Sequence, residues 1–439
     1  MTHILVAGGG IGGLAAALGQ ARAGHRVTVL EGRPEFSEIG AGIQLAPNAF
    51  HALGVLGVRD RVAERADFID ELRFLDGTSG QRVAAMELTG TYRSRFGGPY
   101  AVVHRGDLHR ALLDGCRDAG VRLLAGHRVT GYQQRGDRVT ALTVDGRRFG
   151  ADVLLGADGL RSAVRARLVG DGGPRISGHT IYRSVIPMEE VPRELRSKSV
   201  TLWAGPGWHF VHYPIGGGAF LNLAATRDDG AREEITGAAA SRSRVLGEFP
   251  GLCDEARRLL ELGRDWRIWV LCDRDPVDGW VDGRVALLGD AAHPMLQYAA
   301  QGACMALEDA VVLGGLLRCE PWEIPGRLAR YNALRRDRTA RTTLTAREMG
   351  TRLYHAAGAD APVRNAMLAD LSPDDLRDAV AWLHGSTSFT EDGEALADNR
   401  RRSSAMARGT PAADGEQTVR GRGRFAADRE AGITRAAPR

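Results

Sequence analysis

The chain has 439 residues, 44% hydrophobic and 26% charged, a globular composition long enough for one large domain or two interleaved ones. Its five cysteines (Cys116, Cys253, Cys272, Cys304 and Cys319) are odd in number and scattered, with no CxxC pair, which argues against a disulfide framework or a zinc ribbon and for a reducing compartment. The formal charge of +4 sits at the end: residues 400–439 hold ten arginines against four carboxylates, so the first 399 residues carry −2 and lack the footprint of a nucleic-acid binder.

In chain order, His3 to Ala7 is a short apolar run that reads as a buried strand. The stretch Ile4 to Ala21 carries no charge, yet no basic residue precedes it and six glycines interrupt it. A signal or membrane segment is therefore not expected, and a cytoplasmic protein is. Leu14 to Ala23 is rich in alanine and leucine and predicts a helix; His25 to Leu30 predicts a second strand that ends on Glu31. Strand, glycine turn, helix and strand make a βαβ unit, which requires a parallel sheet.

Further along, Asp107 is a candidate N-cap for a helix to about Asp118. Val121 to Phe149 alternates apolar and polar residues and predicts a β-meander. Ala151 to Leu155 is a strand that stops at Gly156-Ala157-Asp158-Gly159, and strands dominate from Ile176 to Thr226. Arg284 to Leu288 is another buried strand, followed by Gly289-Asp290-Ala291-Ala292-His293-Pro294 and a helix from about Gly302 to Leu317. Within that helix, Glu308 and Asp309 are expected to face solvent or an interface. Apolar periodicity ends near Ser386, which predicts a basic, disordered tail.

The turn Gly8-Gly9-Gly10-Ile11-Gly12-Gly13 contains GxGxxG as Gly8, Gly10 and Gly13. Its first glycine permits the tight turn, its second lets backbone approach a pyrophosphate, and its third allows close helix–strand packing. The helix N-terminus then offers free N–H groups to the phosphates. Glu31 can accept hydrogen bonds from ribose hydroxyls. These features point to a dinucleotide and leave FAD and NAD both open.

Taken together, GGGIGG with Glu31, then Ala157-Asp158-Gly159, then GDAAHP resembles the single-component flavoprotein aromatic hydroxylases. The resemblance spans residues 1 to about 380. It implies an α/β fold, with a Rossmann-like FAD-binding domain interleaved with a mostly antiparallel substrate sheet and C-terminal helices. The expected divisions are 1–175 and 276–385 for the FAD-binding parts and helices, 176–275 for the substrate domain, and 386–439 for the tail. The cofactor contacts it implies are Gly8, Gly10, Gly12, Gly13 and Glu31 on the ADP half, with Val129 on the adenine side. Arg105 would touch the flavin, Asp158 would serve both FAD and nicotinamide access, Asp290 would reach the ribityl–phosphate region, and Pro294 is a further cofactor-site residue. Gly302 and Ala303 open a helix whose N-terminus would stabilise negative charge on reduced flavin. NADH or NADPH is the expected co-substrate with O2, and no metal site is expected; no second GxGxxG unit is visible for the nicotinamide.

On the substrate side, the run Trp208 to Tyr213 puts His209, Val211 and Tyr213 on one face of a strand and Phe210 and His212 on the other. His209 and Tyr213 suit a phenol, whose proton they could draw off through a relay; a half-buried strand with satisfied polar groups fits the same spacing. The segments around Ile39 to Asn48, His209 to Tyr213 and Met295 to Met305 look most like the 3-hydroxybenzoate 6-hydroxylase subgroup. That resemblance implies para hydroxylation to gentisate through a flavin 4a-hydroperoxide, a homodimer, and His209, Tyr213 and Gln297 as active-site residues. Arg183 is a candidate for the carboxylate by location alone. Salicylate or a hydroxynicotinate remains an alternative substrate, and a non-hydroxylating FAD or NADH sensor an alternative function.

Since the tail lacks core-forming periodicity, truncation after about Ser386 is expected to leave turnover intact. An insoluble or inactive truncation would show that the folded body extends further.

Overall fold

A computed structural model describes residues 1–37 and 41–385. The expected tail from Ser386 lies outside the described residues, as do Ile39 and Gly40 of the substrate-side segment.

The first apolar run folds as strand β1 (His3–Ala7), followed by helix α1 (Ile11–Arg22) and strand β2 (Arg26–Leu30). The charge-free stretch is therefore strand and helix of a core, and no helix among the described residues is long and apolar enough to cross a membrane. Strand β1 lies at the centre of a six-stranded sheet, parallel to β2 on one side and to Val153–Gly156 on the other. Its residues Ile4 to Ala7 are fully buried, as continuous apolar runs in parallel sheets must be. Val285–Leu287 and Arg122–Leu124 add parallel strands on either side.

Two local expectations need correction. The helix after Val102-Val103 is Arg105–Asp118, and its N-cap is His104, whose Nδ1 accepts the Gly106 N–H at 3.2 Å; Asp107 lies inside the first turn. The meander is three strands, Val129–Arg135, Arg138–Thr143 and Arg148–Ala151, while Arg122–Leu124 leaves it to pair with β2.

The second large element is an eight-stranded sheet. Strands Arg175–Pro187, Ser199–Gly205, Trp208–Ile215 and Phe220–Asp228 form its antiparallel body. Glu71–Asp76 and Arg82–Glu87, from the first third of the chain, extend it beside Ser199–Gly205. One face carries a core of its own, with Trp203, Trp208, Phe210 and Trp266 packed against the helices Arg242–Glu248 and Asp254–Leu262. Phe210 points into that core and the odd-numbered residues His209, Val211 and Tyr213 point away from it.

The helix Gly302–Leu316 is buried on nearly all sides, between α1 and the long helix Ile324–Glu348. Glu308 and Asp309 are fully buried, which overturns the expectation that they face solvent. Arg335, also fully buried, donates to Glu308 Oε2 at 2.6 Å and to Asp309 Oδ1 at 2.7 Å. Arg338 adds two bonds to Glu308, and Asn48 a third at 2.7 Å. Burial pushes both carboxyls up, but Arg335 and Arg338 on Glu308, and His293 and Arg335 on Asp309, outweigh it and hold both below the ordinary carboxylate range.

Removing Arg335 would leave two buried carboxylates without their shared counter-ion, a loss of about 3–5 kcal/mol. Arg335→Leu is therefore expected to lower the melting temperature sharply. The wild-type contribution should be fully present above the unfolded carboxylate value of about 4 and vanish as pH falls through the depressed values. A variant that melts with wild type at pH 7 would remove this role.

Candidate active site

One cavity of about 1560 Å³ runs between the two sheets, above the range of about 300–1,000 Å³ for ordinary small-molecule pockets. Of the sequence-derived site residues, Gly8, Gly10, Gly12, Glu31, Arg105, Val129, Asp158, Asp290, Gly302, Ala303, His209, Tyr213 and Gln297 all line it. Gly13 and Pro294 do not.

The dinucleotide end is built by the βαβ turn. Gly8 has φ +106°, open to glycine alone at little strain, and a Cβ on Gly13 would lie 2.0 Å from the Gly8 carbonyl oxygen. Gly13 thus acts by letting helix and turn meet. The first turn of α1 has no side-chain cap and no acidic residue, so its N–H groups and dipole face the cavity unopposed. Glu31 accepts the Gly9 N–H and the Arg33 N–H, both at 2.7 Å, which ties the end of β2 to the glycine turn.

The other two motif aspartates behave differently. Asp158 accepts the N–H groups of Ala163 and Val164 at 2.8 and 3.2 Å and bonds the Ser162 hydroxyl, so its carboxylate caps the helix Ala163–Leu168 while bordering the cavity. Asp290 is exposed at the cavity wall. Behind it, Asp309 accepts the Gly289 N–H at 3.0 Å and pairs with His293 at 2.6 Å, so the buried ion cluster grips the Gly289–Pro294 loop from below. The helix Gly302–Leu316 begins with no side-chain cap, and its first residues border the cavity. Just before it, Ala300 adopts the left-handed conformation (φ 52°, ψ 36°), which costs a non-glycine residue about 1–3 kcal/mol. Two uncapped helix starts, one glycine cradle and a carboxylate at the end of β2 are a donor and acceptor set that fits a dinucleotide such as FAD.

At the other end the sheet supplies the walls. Tyr213 donates to the Gly42 carbonyl at 2.9 Å, and Gly42 donates to Asn222 Oδ1 at 3.2 Å. A Cβ on Gly42 would sit 2.3 Å from the Tyr213 ring, so this close approach requires glycine. Burial raises the Tyr213 phenol to about 12, with Arg183 opposing the shift. Arg183 donates to Gln297 Oε1 at 2.6 Å, and Gln297 Nε2 donates to Thr226 at 3.3 Å. No carboxylate among the described residues pairs with Arg183. Desolvation lowers its pKa, yet a guanidinium remains charged there.

His209 does not bond Tyr213, which sits four residues along the strand; its Nδ1 faces His355 Nε2 at 2.8 Å. The sequence reading missed His355, which follows the π-helical turn Met349–Tyr354 and carries no motif. Its ring also lies 4.8 Å from that of His179, and His179 Nδ1 bonds the Tyr298 hydroxyl. Desolvation holds His209 well below 6.5 and His355 at about 3, each lowered further by a neighbouring imidazole. Both rings are neutral at physiological pH. His212, on the other face, stacks on Trp203 away from the cavity.

Residues 1–200 and 261–346 match the family described as FAD binding domain. The chain is 47% identical over 384 residues to "3-hydroxybenzoate 6-hydroxylase 1" of Aquipseudomonas alcaligenes, covering 87% of this chain and 97% of that one. It is 44% identical over 383 residues to "3-hydroxybenzoate 6-hydroxylase" of Polaromonas naphthalenivorans, covering 87% and 95%. Among solved structures, Klebsiella pneumoniae HpxO in complex with FAD and uric acid is similar with a TM-score of 0.77 at 27% identity, covering 88% of this chain and 97% of that one.

Glu31→Lys removes two charge-assisted bonds of about 1.5–3 kcal/mol each and places a cation beside the helix start. Flavin affinity is expected to fall at least tenfold, read as substoichiometric flavin absorbance after gel filtration. A fully loaded variant would deny Glu31 this part.

Proposed function

The chain belongs to the FAD binding domain family of flavoprotein monooxygenases, and from that premise we propose that it hydroxylates 3-hydroxybenzoate para to the phenol, giving gentisate. FAD, when bound, supplies the redox chemistry with a reduced nicotinamide and O2. The protein's own share is binding, orientation and proton handling.

The observation that carries this reading is the pairing of a half-buried, unneutralised cation with a buried, neutral acceptor in one cavity. Arg183 suits the substrate carboxylate, which would make the charge-assisted bond that no described carboxylate makes. His209, with Nδ1 turned to His355, has Nε2 left for the phenolic proton. Taking that proton raises electron density at the carbons ortho and para to the oxygen and readies the ring for electrophilic attack. Gln297 orients the ring through the amide that already spans Arg183 and Thr226. Tyr213, held by Gly42, sets the depth of the pocket.

Asp290, Gly302 and Ala303 line the cavity, and in this reading they hold the flavin's ribityl chain and pyrimidine edge. Pro294 and Gly13 shape the backbone behind those contacts. NADH as hydride donor, a homodimer and a cytoplasmic location belong to the same proposal.

Arg183→Gln keeps a hydrogen bond and removes the charge. It is expected to raise KM for 3-hydroxybenzoate at least tenfold, about 1.4 kcal/mol, and to leave a neutral phenol such as 3-hydroxybenzyl alcohol little affected. Equal effects on both compounds would take the carboxylate away from Arg183. Absence of gentisate from wild-type turnover would overturn the substrate.

A further inference from the structure

A phenol that ionises against the buried His209 needs a route for its proton, and the wall behind that ring offers one. We propose that His209 and His355 form a relay that carries the substrate's phenolic proton from the cavity to a water held beside His179 and Asp228, at the solvent edge. This rests on the phenolic substrate proposed above.

The geometry runs outward in order. His209 lines the cavity, and its Nδ1 meets His355 Nε2 at 2.8 Å with the two rings stacked, centroids 5.0 Å apart and 29° between planes. His355 Nδ1 is buried without a hydrogen-bond partner, although the residue is only 6% exposed. A ring nitrogen from each of His355 and His179 and a carboxylate oxygen of Asp228 lie within 4.8 Å of one another, a gap that one water spans. Asp228 ends the strand Phe220–Asp228, with its side chain 48% exposed, so the path opens to water there. Tyr298 fixes His179 through Nδ1 and leaves Nε2 toward Asp228, at 3.7 Å.

Each imidazole gives up one proton as it takes another. The substrate O–H proton goes to His209 Nε2, the His209 Nδ1 proton to His355 Nε2, and the His355 Nδ1 proton to water beside Asp228. No net charge accumulates on either buried ring, which matters because burial disfavours their cationic forms. When the hydroxylated product takes a proton back, the sequence reverses and both tautomers reset. Tyr298 and Tyr354 pack against His209, and Arg175, Asp228, Asp229 and Asp273 surround His179. His355, His179 and Asp228 act through His209 and touch no substrate, so they are positioning residues.

The test is rapid mixing of FAD-loaded, unreduced enzyme with 3-hydroxybenzoate and a pH-indicator dye, recording proton release separately from binding seen in the flavin spectrum. Wild type is expected to release a proton at the rate of binding. His355→Asn should bind with similar affinity and release it at least tenfold more slowly, with added imidazole restoring the rate. Asp228→Asn, at a half-exposed position, should slow release at least threefold and covers the case in which the His355 variant does not fold. Release at the wild-type rate in both variants would overturn the relay and leave the substrate reading intact. Wild-type enzyme that binds no 3-hydroxybenzoate would overturn the substrate reading and the relay with it.

Discussion

The shared guanidinium of Arg335 is the constraint on which the rest of the site depends. It lies fully buried between Glu308 and Asp309, two adjacent carboxylates that could not be enclosed in a hydrophobic helix without it. From that centre the polar network reaches both ligand regions. Asp309 holds the Gly289 N–H and His293, and so the loop that presents Asp290. Glu308 holds Asn48, which donates in turn to Gln301 at 3.0 Å, the residue on which the helix Gly302–Leu316 opens. The Gly289–Pro294 loop and the start of the helix Gly302–Leu316, both at the cavity wall, are thus fixed to the same pair of charges.

The same cavity wall shows why the two sheets have to be interleaved. Gly42, from the short strand Gly42–Leu45, accepts from Tyr213 and donates to Asn222, both on the eight-stranded sheet. The segment after β2 therefore sets where Tyr213 stands, at a separation that admits no side chain on residue 42. A small shift of either segment would reach the other through this contact. The densely packed walls transmit such shifts because they have little void to absorb them.

Much of this was legible in the sequence, and the rest was hidden for physical reasons. The βαβ unit, the glycine turn and the alternation of His209, Val211 and Tyr213 are local demands, expressed by residues close together in the chain. Glu308 and Asp309 were misread because carboxylates in a helix are solvated far more often than buried. Their partners lie 26 to 30 residues on, in the helix Ile324–Glu348, with nothing local to announce them. His355 was invisible for a similar reason. It is delivered by a π-helical turn, a departure from the 3.6-residue period on which sequence patterns depend. The cap was expected three residues late, at Asp107, because His104, an uncommon cap, does the task through its ring nitrogen.

The site also separates two electrostatic tasks that a single residue could not combine. A carboxylate is best met by a charge that never leaves, and Arg183 stays cationic even where desolvation opposes it. A phenol that must ionise is best met by a group that is neutral beforehand, since an imidazolium has no lone pair to offer. Burial supplies that condition for His209, and the neighbouring imidazole of His355 reinforces it, because two adjacent cations would repel. Deep burial of a histidine would ordinarily leave its nitrogens unsatisfied, at a cost of about 1–3 kcal/mol for each orphaned group. Here the pairing satisfies one nitrogen of each ring and keeps His209 Nε2 open to the cavity. In the proposed reaction the fixed cation locates the ring and the neutral pair changes its charge.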